Sequence, residues 1–306
     1  MRLTTTFAAL ALLATPAGAQ ERITYKSAKA GSSYYQMGVE LAEAMGDVAN
    51  VTVEESQGSV QNVMEVRARG ADYVFTTPPA LVSAAQNAAG PFEDKGDPAF
   101  AEIRALFPIP SLTMHFVASE ESGVATLSDL SGKTVLLGAG SFGAREGEKY
   151  LGMFEIDANV ADAELSNAVG ALQNGQIDAF VTAGSYPAPN VIEAAATTGV
   201  RLIPLTEEQV EATGRTRLVI PAGTYSGQET DIVTTSLPVL AYATSAMSED
   251  TAYALTRAYW EGREDLAGTA AWWAGVSPEM IANASTAIHP GAVRYYQEIG
   301  VELPAL

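Results

Sequence analysis

The 306 residues carry 17 Lys+Arg against 36 Asp+Glu, a formal charge of -19, with 47% hydrophobic residues and no cysteine. That apolar fraction excludes a disordered chain, and the missing cysteine excludes a disulfide scaffold, a thiolate nucleophile and a Cys/His zinc site. The acidic balance excludes nucleic acid and anionic lipid as partners, and His115 and His289 alone leave little from which to build a Ser-His triad.

Arg2, the apolar run from Phe7 to Ala14, Pro16 and the small residues Ala17-Gly18-Ala19 form a tripartite export signal, with cleavage expected after Ala19. No cysteine follows to carry a lipid, and no later apolar run reaches the roughly 18 residues of a membrane span. The mature chain is therefore expected to be a soluble periplasmic protein without membrane insertion. Arg22 to Tyr25 then predicts a strand, Ala30-Gly31-Ser32-Ser33 a turn, and Met37, Leu41, Ala44 and Met45 one face of a helix. Val51-Thr52-Val53 predicts a second strand. Gly58-Ser59 caps a helix with Val60, Val63 and Met64 that stops near Gly70, and the buried strand Tyr73-Val74-Phe75 runs into Thr76-Thr77-Pro78-Pro79.

The same order recurs about 105 to 109 residues later, the offsets of Gly70 to Gly175 and of Gly31 to Gly140. Thr134 to Leu137 leads into Ala139-Gly140-Ser141 and a helix with Tyr150 and Leu151. A helix with Val169 and Leu172 ends at Gly175, and Asp178 precedes the strand Ala179-Phe180-Val181 and the loop Thr182-Ala183-Gly184-Ser185-Tyr186-Pro187. This predicts two related open α/β units. In such sheets ligands sit beyond the carboxyl ends of the strands, where strand-to-helix loops present unpaired N–H groups and the positive ends of helices. Two facing lobes would enclose a cleft whose Gly-Ser loops could hold an anion on an acidic protein.

Glu121-Ser122-Gly123-Val124 with Leu127-Ser128-Asp129-Leu130-Ser131-Gly132-Lys133 resembles a phrase shared by type II periplasmic solute-binding proteins. Ile220-Pro221-Ala222-Gly223-Thr224-Tyr225-Ser226-Gly227-Gln228, Ala183-Gly184-Ser185-Tyr186-Pro187-Ala188-Pro189 and His289-Pro290-Gly291-Ala292-Val293-Arg294-Tyr295-Tyr296 narrow the match. Together they resemble the TAXI family of TRAP transporter solute receptors, from about Ile23 to Gly300. The resemblance implies a receptor that captures a small organic solute, often a carboxylate such as glutamate or 2-oxoglutarate, and delivers it to a sodium-driven membrane permease. It also implies a two-lobed periplasmic-binding-protein type II α/β fold with a ligand cleft between the lobes. The expected division is 20–118 with 237–306 as one lobe and 119–236 as the other.

Matched to the family's loops, Gly31, Ser32, Ser33, Tyr34 and Tyr35, then Gly58, Ser59 and Asn62, and then Gly184 and Pro187 are the implied ligand-binding positions. Thr76 and Thr77, Ser141, Phe142 and Gly143, and Tyr186 join them as residues of matching loops. Two departures bear on the solute. The family's Pro-Gly-Ser-Gly-Thr is Gly140-Ser141-Phe142-Gly143-Ala144 here, and its Gln-Ser-Asp is Thr76-Thr77-Pro78, so specificity for glutamate does not transfer.

Gly138-Ala139-Gly140-Ser141-Phe142-Gly143 also reads G-x-G-x-x-G, but Asp157 to Asp162 makes a poor buried parallel strand for a dinucleotide fold, so no cofactor is expected. Arg145 could clamp an anion through its guanidinium fork, or be a solvated residue paired with Glu146 or Glu148. His115 reads more readily as a satisfied buried histidine than as a ligand contact. Tyr34, Tyr35, Phe142, Tyr186 and Tyr225 fall in or beside cleft loops, whereas Trp260, Trp272 and Trp273 read as packing residues. Asp72 and Asp178 hold equivalent positions before buried strands, which predicts a turn role and no acid/base pair. Neither catalysis nor a metal site is expected. The alternatives are an enzyme acting on a small acid on the same fold, and an exported antigen or adhesin binding a protein partner.

Overall fold

The computed structural model describes residues 20–305, so the expected export signal lies outside the described residues. The first α/β unit holds β1 (Glu21–Lys26), α1 (Ser33–Ala44), β2 (Ala49–Glu54), α2 (Ser59–Glu65), β3 (Tyr73–Thr77) and α3 (Pro79–Gln86). A 17-residue strand, β4 (Ile103–Ser119), leaves it. The second unit holds β5 (Thr134–Leu136), α4 (Phe142–Met153), β6 (Asn159–Ala161), α5 (Ala168–Gln173), β7 (Ala179–Gly184) and α6 (Pro189–Thr197). After β8 (Val200–Leu202), α7 (Glu207–Thr213) and β9 (Thr216–Ile220), β10 (Ile232–Thr244) returns, and α8 (Glu249–Glu261), α9 (Arg263–Thr269) and α10 (Pro290–Glu298) end the fold.

The strand order is β2-β1-β3-β10-β4-β7-β5-β6, with β8 added to β4 and β9 to β10. β1 lies between β2 and β3, and β5 between β6 and β7, all parallel, so the repeat in the sequence emerges as one strand order used twice. β6 pairs with β5 although Asn159 and Val160 are exposed. The expectation that this stretch is a poor buried strand therefore holds for burial and fails for pairing, because an edge position needs no apolar face.

The antiparallel pair β4 and β10 joins the two units. β3 pairs with β10 and β7 with β4. β4 is buried along nearly its whole length, which its continuous apolar run requires. Its ladder with β10 shifts register between Leu237 and Val239, where Pro238 stands opposite Pro110 and Ser111. Proline brings no N–H to a ladder, so the bulge falls where the sequence cannot supply donors. The carbonyls left free are satisfied from both sides: Tyr34 Oη donates to Pro110 O at 3.0 Å and Ser185 Oγ donates to Ser111 O at 2.7 Å.

The C-terminal helices cover the first unit. Trp273, Tyr259 and Tyr296 are fully buried, Trp260 nearly so, and the indole N–H groups of Trp272 and Trp273 both donate to Glu40 Oε2, at 3.2 and 2.6 Å. His289 caps α10, its Nδ1 accepting from Gly291 N at 3.3 Å. Gly291 is the contact point of α10 with α8: a Cβ there would lie 2.1 Å from Glu249 O and 2.6 Å from Tyr253 N. Both obstacles are backbone, so Gly291→Ala should destabilise the fold by at least about 2 kcal/mol in urea titration. Unchanged stability would mean that the α8–α10 contact is not tight.

Candidate functional site

A cavity of about 290 Å³ lies between the two units, at the carboxyl ends of β1, β3, β5 and β7. Gly31, Ser32, Ser33 and Tyr34 line it from the loop after β1, Gly58 and Ser59 from the start of α2, and Thr76 from β3. Ser141, Phe142 and Gly143 line it from the loop after β5, and Gly184 from the end of β7. The equivalent loops of the repeat thus face one another.

Ser32 Oγ accepts from Tyr35 N at 3.2 Å and donates to Lys29 O at 2.7 Å, capping α1; Ser141 Oγ accepts from Ala144 N at 2.9 Å, capping α4. The amides of Ser33, Tyr34, Phe142 and Gly143 lie in the first turns of these 12-residue helices, where no intrahelical acceptor exists. The helix dipoles add partial positive charge at the same ends. The packing leaves no room for larger residues: a Cβ on Gly184 would meet Ser33 Oγ at 2.7 Å, and one on Gly143 would meet Ala183 Cβ at 2.9 Å. Ser33 Oγ instead accepts from Ser185 N at 3.1 Å, a direct bond between the first unit and the second.

Six expected site residues do not line the cavity. Arg145 is exposed, because α4 turns Glu146, Gly147 and Tyr150 inward, and Arg145, one position before Glu146, points away. Glu146 is not its partner either, being gripped by Arg215 at 2.7 and 3.1 Å. Tyr35, one position after the lining residue Tyr34, is turned out of the cavity for the same helical reason. Thr77 is buried on the opposite face of β3 from Thr76. Asn62 is fully buried beneath the floor, where its Nδ2 donates to Ser27 O at 2.7 Å and Thr76 O at 2.9 Å and fixes both loops. Tyr186 and Pro187 precede the wall residues Ala188 and Pro189. The apolar wall formed by Leu112, Leu137, Leu165, Val169, Val181 and Val239 was not anticipated, nor were Lys29, Glu164 and Glu193. Strand alternation could have indicated Val181; the others depend on contacts between units.

The cations at and beneath the cavity are paired. Lys26, at the end of β1, is buried, with Nζ 3.4 Å from Glu54 and 3.2 Å from Glu65, and Arg69 reaches the same carboxylates at 2.6 and 2.7 Å. Hydrogen bonding from Arg69 holds Glu54 below the usual carboxylate range. Among the described lining residues Lys29 is the sole cation, and its Nζ lies 3.0 Å from Glu164 across the cleft.

A sequence profile of the NMT1-like family matches residues 26–300. The chain belongs to the NMT1-like family. Solved structures share its fold. The periplasmic binding protein BugD is 11% identical, with a TM-score of 0.58, the match covering 94% of this chain and 100% of that one. MatC from Rhodopseudomonas palustris with bound malate is 13% identical, with a TM-score of 0.57 over 91% and 96% of the two chains. At such identities the likeness carries the fold alone, a two-lobed periplasmic-binding-protein architecture, as the resemblance implies. No helix among the described residues is long and apolar enough to cross a membrane.

In this NMT1-like chain the motif around Tyr225 supports the cavity wall from behind. Gln228 holds its loop together, donating to Pro221 O at 3.0 Å and Thr230 O at 2.9 Å while accepting from Tyr225 N at 3.1 Å. Tyr225 is buried; its hydroxyl accepts from Ala188 N at 2.8 Å and donates to His115 Nε2 at 2.8 Å. His115 Nδ1 faces Thr113 O at 3.1 Å and must therefore carry the proton. Both ring nitrogens are thus satisfied in the neutral form, as the sequence favours, and burial lowers the His115 pKa to about 4.

An unfolded histidine titrates near pH 6.5, so the unfolded chain takes up a proton first. The stabilisation from neutral His115 is complete above about pH 6.5 and is lost as pH falls toward about 4, a change of about 3 kcal/mol. Urea unfolding of wild type and His115→Gln across this window should show one proton's worth of slope missing from the variant. Parallel pH profiles would contradict the buried neutral histidine.

Proposed function

We propose that this chain is a periplasmic solute receptor of the TAXI type, serving a tripartite TRAP transporter: it captures a small organic carboxylate and hands it to a sodium-driven membrane permease. One observation carries the reading: the capped N-termini of α1 and α4, in matching places of the repeat, open into the same cavity from opposite sides. Backbone N–H groups and aligned dipoles bind an anion without requiring a cationic side chain, which suits a protein of charge -19. A second observation points to a ligand. Thr182 is 4% exposed, lines the cavity, and its hydroxyl has no hydrogen-bond partner among the described residues.

The mature chain begins after Ala19, and its lobes divide as 20–118 with 237–306 and 119–236. Closure bends β4 and β10 about the bulge at Pro110, Ser111 and Pro238, and the permease distinguishes the closed surface from the open one. Ser33 to Ser185 and Lys29 to Glu164 are the contacts that the closed state gains. MatC, of the same fold, is known with malate bound, which supports a carboxylate as the solute class.

Thermal unfolding of the mature protein against a panel of small carboxylates tests the reading. A solute at about 100 times its Kd adds roughly 2.7 kcal/mol to the folded state. At least one carboxylate should raise the midpoint, and Ser59→Ala, which removes only a half-buried lining hydroxyl, should reduce that shift while leaving the unliganded midpoint in place. A strain lacking the chain should lose sodium-dependent uptake of the same solute. Uptake that survives, or that needs no sodium gradient, would contradict the transporter assignment.

A further inference from the structure

The cavity is divided chemically, and the division states what kind of carboxylate fits. Its polar part gathers the first amides of α1 and α4 with the neutral side chains of Ser59, Thr76 and Thr182, and Gln57, Ser166 and Asn190 also belong to the lining. Three other lining hydroxyls are engaged in the scaffold, Ser27 donating to Tyr34 O at 2.5 Å, Ser32 to Lys29 O at 2.7 Å and Tyr34 to Pro110 O at 3.0 Å. The remaining wall is aliphatic and aromatic: Leu112 and Val239 on the crossing strands, Leu137, Phe142, Val169 and Val181 from the second unit.

No unpaired cationic side chain is among the described lining residues. Lys29 is held 3.0 Å from Glu164, Arg145 points to solvent, and Lys26 is enclosed by Glu54 and Glu65. The other charged lining groups, Glu164 and Glu193, would repel a carboxylate. A second anionic end would exchange its hydration for apolar side chains and a few neutral donors with no free cation, which replaces the lost hydration only in part.

We propose that the site selects single-headed carboxylates, one anionic end on a compact apolar body, over dicarboxylates of the same chain length. This rests on the receptor reading above and narrows it. Phe142 and Ala144, which replace hydroxyl-bearing positions of the TAXI pattern, have the same chemical sense, Phe142 being part of the wall.

Isothermal titration of the mature protein at neutral pH with butanoate, hexanoate and octanoate, each beside the diacid of the same carbon count, and with hexan-1-ol, tests the proposal. The best monocarboxylate should bind at least about tenfold more tightly than its diacid, and the alcohol much more weakly than hexanoate. Glu164→Gln, at a partly exposed position, should narrow the gap by freeing the Lys29 ammonium for a diacid's second end. Equal or tighter binding of the diacids, or a gap that Glu164→Gln leaves unchanged, would overturn the proposal and leave the carboxylate receptor standing. Binding of the alcohol as tight as that of hexanoate, or no binding by any acid, would overturn the anion site and the proposal together.

Discussion

The pairing of β4 with β10 is the constraint on which the rest of the molecule depends. These strands are the shared centre of the sheet, so the first unit is anchored through β3 on β10 and the second through β7 on β4. A straight ladder of this length would make one stiff body. Pro110 and Pro238 remove donors at mid-length, the register shifts there, and the freed carbonyls are bonded by Tyr34 from one unit and Ser185 from the other. Tyr34 thereby belongs both to this junction and to the cavity lining, which Leu112 and Val239 join from beside the prolines.

From that junction the site follows with little additional chemistry. Each unit brings a strand, a glycine-serine turn and a 12-residue helix, and the serine caps the helix so that the next amides face inward. Asn62 secures the turn after β1 to the end of β3, and Tyr225 with His115 secures the Ala188 wall to β4. The motifs that gave the sequence its resemblance are largely these supports. His289 and Gly291 shape the contact of α10 with α8, far from the cavity lining, and Gln228 knits the Tyr225 loop. A recognisable sequence here reports the frame more than the solute.

This explains which parts were legible. Strand positions, glycine loops and the doubled order follow from short-range periodicity, and all recur in the structure. Gly31 to Tyr34, Ser59, Thr76, Phe142 and Gly184 line the cavity because a loop's place at a strand end fixes them. Arg145, Tyr35 and Thr77 were misplaced by one residue of helical or strand phase, which loop membership does not specify. Asn62 has the residue type of a ligand contact and the burial of a floor support. The Lys29–Glu164 pair and the apolar wall arise from two units meeting, a long-range fact that no local pattern encodes.

Backbone hydrogen exchange at Ser33, Tyr34, Phe142 and Gly143, with and without saturating hexanoate, tests the central claim most directly. If the first turns of α1 and α4 hold an anion between the two units, these four amides slow together on binding, while the first turn of α8, remote from the cavity, does not change. Protection confined to one unit, or spread over α8 and α10 with these four amides unaffected, would contradict it.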